Sequence, residues 1–170
     1  MKKLLVLFAA IGLTALAGCE GPQGPPGVPG RTVEAEVFEL RNVNFDYEPG
    51  IGYSIYGTLV PNIFDSDSVI MYRLVDLIDS NTPVWQQIPR TLYLEEGEVD
   101  YDFDFSKEDY QIYLGGTFFP IGSDFTTNQT FRILILPGYF SKKVVDYSDY
   151  NAVIKAYGID DSKVKQLQVK

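Results

Sequence analysis

The chain has no histidine among its 170 residues and only one cysteine, Cys19. The first absence removes serine–histidine and cysteine–histidine hydrolases, imidazole proton shuttles and the common zinc sites. The second removes any internal disulfide, although exported domains of this size often depend on them. Basic residues are also scarce: 14 Lys+Arg against 23 Asp+Glu give a formal charge of −9. A surface of that sign repels phosphate backbones and anionic lipid heads, so neither a nucleic-acid partner nor electrostatic membrane binding is expected. No Walker-type loop and no dinucleotide fingerprint occurs. No cofactor, no catalytic residue and no metal ligand is therefore expected. The only enzyme chemistry left open is that of paired carboxylates, as in glycoside cleavage.

What is present begins with an export signal. Met1-Lys2-Lys3 leads into an apolar run from Leu4 to Ala17, interrupted only by Gly12 and Thr14, with small residues at its end. The run falls short of the about 20 residues that a permanent membrane span requires. It closes in Leu16-Ala17-Gly18-Cys19, which resembles the lipobox of bacterial lipoproteins. That resemblance implies cleavage after Gly18 and a diacylglycerol on the sulfur of Cys19, which becomes the new N-terminus. Acylation uses up the lone thiol, and several acyl chains anchor stably where one short chain holds only marginally. Loss of residues 1–18 takes Lys2 and Lys3 away and leaves 12 basic against 23 acidic residues, a net −11. A monomer attached to a membrane by lipid, with no segment passing through it, is the expectation.

Glycine then recurs every third position, at Gly21, Gly24, Gly27 and Gly30, interleaved with Pro22, Pro25, Pro26 and Pro29. Such a segment favours polyproline II, and ten residues of it reach about 30 Å. Only three complete triplets stand here, so residues 19–30 are expected to act as a stiff spacer rather than to trimerise.

Aromatic residues make up 14% of the chain, too many for a disordered tail, and the residues after the spacer suit one domain. Val99-Asp100-Tyr101-Asp102-Phe103-Asp104-Phe105 alternates apolar and acidic residues without a fault, which places the two sets on opposite faces of a strand. Further strands are expected over Val33 to Leu40, Tyr53 to Val60, Ser68 to Leu77, Val84 to Ile88, Thr91 to Leu94, Gln111 to Phe118 and Thr130 to Leu136. Gly115-Gly116 marks a bulge or break in the sixth of these. Turn signals at Pro49-Gly50, Asp65-Ser66-Asp67, Asn81-Thr82-Pro83 and Glu96-Gly97 separate them. This layout predicts an all-β fold, an antiparallel β-sandwich of immunoglobulin-like or jelly-roll-like form. One short helix is expected near the C-terminus, where Tyr147, Tyr150, Ile154 and Tyr157 recur at spacings of three and four. Asp146 or Ser148 could cap it, Gly158 could end it, and its tyrosine stripe should pack on the sandwich. The domain is expected to span 31–159, with a polar, extended tail over 160–170.

The whole layout resembles a group of small Bacteroidota lipoproteins with a lipobox, a short collagen-like spacer and an aromatic-rich β domain. The matching pieces are Cys19-Glu20-Gly21-Pro22, Tyr72-Arg73-Leu74, Val84-Trp85, the Asp100–Phe105 alternation and Asn128-Gln129-Thr130-Phe131-Arg132. The resemblance implies a lipid-anchored envelope protein, displayed at the cell surface of an outer membrane; it implies no activity and no functional residues. A non-enzymatic interaction or structural module is thus the leading expectation, with a carbohydrate-binding accessory module as the alternative.

Candidate ligand positions are few. The row Asp100, Asp102, Asp104 carries cation-binding oxygens, but alternate residues of one strand lie about 6.6 Å apart, too far for one ion to be held directly by all three. Asp65 and Asp67, flanking Ser66 and helped by Asp79, could converge in a turn, although such clusters usually satisfy their own backbone. Trp85, the only tryptophan, could stack on a sugar ring from a sheet edge together with Tyr53, Tyr56, Tyr93 or Tyr113; burial between the sheets is the competing expectation. Asp67-Ser68-Val69 resembles a short O-glycosylation acceptor pattern, which makes Ser68 a candidate.

Overall fold

Alternation of period two, broken by turn residues, gives ten strands among the described residues, in two stacked sheets. The computed structural model describes residues 34–139 and 144–167, of Lys163 the backbone alone. Gly18, Cys19, the glycine triplets and Val33 lie outside the described residues. The strands are β1 (Glu36–Val43), β2 (Asp46–Glu48), β3 (Gly52–Thr58), β4 (Ser68–Asp79), β5 (Thr82–Ile88), β6 (Arg90–Tyr93), β7 (Glu98–Phe105), β8 (Asp109–Gly116), β9 (Gln129–Leu136) and β10 (Lys165–Gln166). The first sheet has the order β10-β1-β9-β4-β5 and the second β2-β3-β8-β7-β6. All pairings are antiparallel except β10 on β1. The fold is an all-β sandwich with a short helix near the C-terminus.

Two cores sandwich the first sheet. Between the sheets, Phe38, Leu40, Met71 and Ile133 meet Val99, Tyr101, Ile112 and Leu114. On the opposite face of the first sheet, Val37, Tyr72, Leu134 and Leu136 are covered by Tyr150, Val153 and Tyr157. This explains the unbroken apolar run Ile133-Leu134-Ile135-Leu136. Its alternate residues feed different cores, and each buried side chain is worth about 1.5–3 kcal/mol. Among the described residues the second sheet has no such cover, so β7 keeps its alternation: Val99 and Tyr101 are buried while Asp102 and Asp104 are exposed. Phe105 shares the apolar parity but is exposed, stacking on Phe103 at a centroid distance of 6.4 Å.

The covering helix α2 (Tyr150–Tyr157) follows a single turn, α1 (Ser123–Thr126), that sequence periodicity did not signal. Its cap is neither Asp146 nor Ser148. Asp149 accepts from the Ala152 N–H at 3.0 Å, while Asp146 accepts from Ser148 in the turn before it. Gly158, at φ 67°, closes the helix, and the following Ile159 N–H reaches back to the Ile154 carbonyl. The expected tyrosine stripe does pack on the sandwich. The tail is more ordered than expected: Asp161–Lys163 forms a 3-10 turn and the extended Lys165–Gln166 pairs with β1 as β10, where Glu39 offers its carbonyl to the Leu167 N–H at 2.9 Å.

Candidate functional site

The long hairpin β4–β5 outruns its neighbour. Pairing of β4 with β9 stops at Arg73 and Phe131, whereas pairing with β5 continues to Asp79 and Thr82. Asp79 closes the tip by accepting from the Asn81 N–H at 2.8 Å and the Thr82 hydroxyl at 2.9 Å. The overhanging tip, the start of α2 and the 3-10 turn wall in the part of the first sheet that the helix leaves uncovered. They enclose a basin of about 840 Å³, within the range of ligand pockets, about 300–1,000 Å³.

A charged network forms the floor. Glu39 on β1 and Arg132 on β9 are cross-strand partners, bonded between Nε and Oε2 at 2.9 Å. Glu39 is 2% exposed and Arg132 11%. Arg41 donates to the other Glu39 oxygen, joined by Gln166 at 3.3 Å. Arg132 also donates to Asp161 at 2.9 Å and to the Tyr150 hydroxyl, which donates to Asp161 at 3.0 Å. Burial pushes the Glu39 carboxyl up, but the hydrogen bonds from Arg132, Arg41 and Gln166 outweigh it and hold the group below its ordinary value. Arg132 is likewise desolvated, and its bonds to Glu39 and Tyr150 more than offset that cost. Burial raises the Tyr150 phenol well above its ordinary value.

Trp85 borders this basin. It lies on the edge strand β5 rather than between the sheets. Its half-buried ring sits on the outer face of the first sheet, beneath Arg132 at 4.5 Å and against Tyr150 at 5.6 Å. The expected burial between the sheets is thereby corrected, because the helix supplies a second core that periodicity alone does not reveal; the expected position at a sheet edge stands. Its Nε1–H is buried without a hydrogen-bond partner among the described residues.

The remaining candidates scatter. Asp67 accepts from the Phe64 N–H at 2.9 Å and Asp65 pairs with Lys107 at 3.0 Å, both at the surface. Among the described residues no three acidic side chains converge to hold a metal ion. Ser68 is exposed at the start of β4. Tyr56 and Tyr113 donate to Asp109 and Asp104 on the bare face of the second sheet, and Tyr93 stands free in solvent on the edge strand β6. Tyr53 instead joins Tyr47 and Phe119, rings mutually tilted at 34–63° with centroids 4.9–6.3 Å apart. Sequence reasoning missed Glu39, Arg132 and Asp161. A charged residue at a sheet-centre position, such as Arg132 beside Ile133-Leu134, was the signal available.

Comparison with known proteins finds no family model, no curated sequence and no solved structure that matches the chain. Among the described residues no helix is long and apolar enough to cross a membrane.

Proposed function

We propose that this chain is a lipid-anchored bacterial envelope protein, held on Cys19 and displayed at the cell surface, whose β-sandwich is a non-enzymatic interaction module. The observation that carries the reading is the Leu16-Ala17-Gly18-Cys19 sequence closing a charged, apolar leader in a chain with no other cysteine. The chemistry of the basin supports the absence of catalysis. A general acid must hold a proton near neutral pH, whereas the hydrogen bonds from Arg132, Arg41 and Gln166 hold the Glu39 carboxyl below its ordinary value. Fixed, mutually neutralised charges suit recognition better than proton delivery. The same basin favours the alternative reading, a carbohydrate-binding accessory module, over a purely structural role.

Cys19→Ser in the full chain, expressed in a bacterial host, tests the anchor. Incorporation of a palmitate label should disappear and the protein should leave the membrane fraction. Unchanged labelling and partition would overturn the reading, and protease shaving of intact cells checks the outward orientation.

A further inference from the structure

We infer that the basin between the β4–β5 hairpin tip, α2 and the 3-10 turn is a binding site for a neutral oligosaccharide. The inference rests on the reading of the domain as an interaction module but not on acylation of Cys19.

Three features select that class of ligand. The first is charge. Glu39 and Asp161 face Arg132 and Arg41 in direct contact, so the floor presents no net charge to a charged ligand. The mature surface, at −11, repels anions further.

The second is the rim. Asn81 and Thr82 at the hairpin tip, Asn151 on α2 and Ser162 on the 3-10 turn all line the basin. Hydroxyls and side-chain amides both donate and accept, as the hydroxyls of a sugar do. Asn81 and Asn151 are exposed, and no backbone cap depends on their side chains.

The third is the apolar lining. Trp85, Tyr150, Leu77 and Pro83 offer carbon surface between these polar groups, which matches the C–H faces of a pyranose. An ion pair buried this deeply contributes little to stability by itself. Glu39 and Arg132 are nonetheless fixed by several bonds at the bottom of an open cavity, which leaves the floor organised before any ligand arrives.

Trp85 is the only tryptophan, so its emission reports from inside the site. Mature protein in a non-glycosidic detergent is titrated with maltohexaose, cellohexaose, mannohexaose and xylohexaose, and with an oligogalacturonate of equal length. At least one neutral hexasaccharide should give a saturable change in emission. Asn81→Ala combined with Asn151→Ala should weaken that response at least tenfold while leaving the circular dichroism spectrum unchanged. A flat titration with all four neutral sugars up to 10 mM overturns the inference. So does a response to the uronate alone, or one that the double variant leaves intact. The same preparation is scored for membrane partition: a chain that stays with membranes but ignores the sugars removes this inference and leaves the anchored reading standing.

Discussion

The two outward faces of the sandwich are built from the same side chains, tyrosines and carboxylates, and behave differently. On the second sheet, Tyr113 donates to Asp104 at 2.8 Å and Tyr56 to Asp109 at 3.0 Å, all near solvent. Each bond there competes with water and contributes little. On the first sheet, Tyr72 is buried under α2, whose Tyr150 is buried against it, and Glu39 is buried at the floor of the basin beside the 3-10 turn. Glu39 and the hydroxyls of Tyr72 and Tyr150 all have protein partners there, since an unmade bond costs about 1–3 kcal/mol once water is excluded; the Trp85 Nε1–H is the exception on this sheet among the described residues. The covering layer, rather than residue type, turns a row of polar residues into an organised site.

The strongest way to break this contrast is to remove its central cation. Arg132→Ala leaves Glu39 buried with one arginine fewer, and loss of one partner of a buried pair costs about 3–5 kcal/mol. Since Arg41 and Gln166 remain on Glu39, the lower end, about 3 kcal/mol, is expected in urea unfolding. Lys107→Ala removes the exposed pair with Asp65 and should cost less than about 1 kcal/mol. Equal losses would mean that the covering layer does not matter.

The same contrast decides what the sequence could reveal. Where a face meets water, period two survives, and β7 is legible over most of its length: Asp102 and Asp104 are exposed and Val99 and Tyr101 are buried, with Phe105 the departure at its end. Where both faces are covered, the pattern collapses into Ile133-Leu134-Ile135-Leu136, legible as a central strand but silent about what lies on its far side. Trp85 suffers from that silence, since a second core beneath a helix cannot be distinguished from the inter-sheet core by apolar content. Glu39, Arg132 and Asp161 lie far apart in the chain and meet only through the β1–β9 register and the return of the C-terminal segment. No local signal joins them. The pairing of the extended tail with β1 is invisible in the sequence for the same reason, because it is set by tertiary contact.

Glu39 allows the contrast to be titrated. Its native pKa lies below the ordinary 4.5, so its contribution is present above that value and is lost as pH falls through the native pKa. Glu39→Gln keeps the shape but not the charge, and hydrogen bonds to charged groups are worth about 1.5–3 kcal/mol. The variant should be about 2 kcal/mol less stable at pH 7, with the gap between the two proteins narrowing below pH 4.5. Urea midpoints taken from pH 7 to pH 3 give the answer; a gap that stays constant across that range would show that the carboxylate is not held by its arginines.

The smallest effect is also the cleanest comparison, because one atom is removed on each face. Tyr72 donates its hydroxyl to the Tyr147 carbonyl at 2.6 Å beneath α2, and its ring meets Tyr150 edge-on at 5.2 Å. In Tyr72→Phe the ring contacts persist and only the hydroxyl is lost, which leaves a carbonyl in a poorly hydrated setting; about 1 kcal/mol of stability should go with it. Tyr113→Phe removes a bond of similar length, but Asp104 there can turn to water, so the change should stay within about 0.5 kcal/mol. Paired denaturation curves for the two variants isolate solvent access, since the chemistry of the deletion is identical. A Tyr113 loss as large as that of Tyr72 would show that the bare sheet relies on its tyrosine–aspartate bonds as heavily as the covered sheet relies on its own.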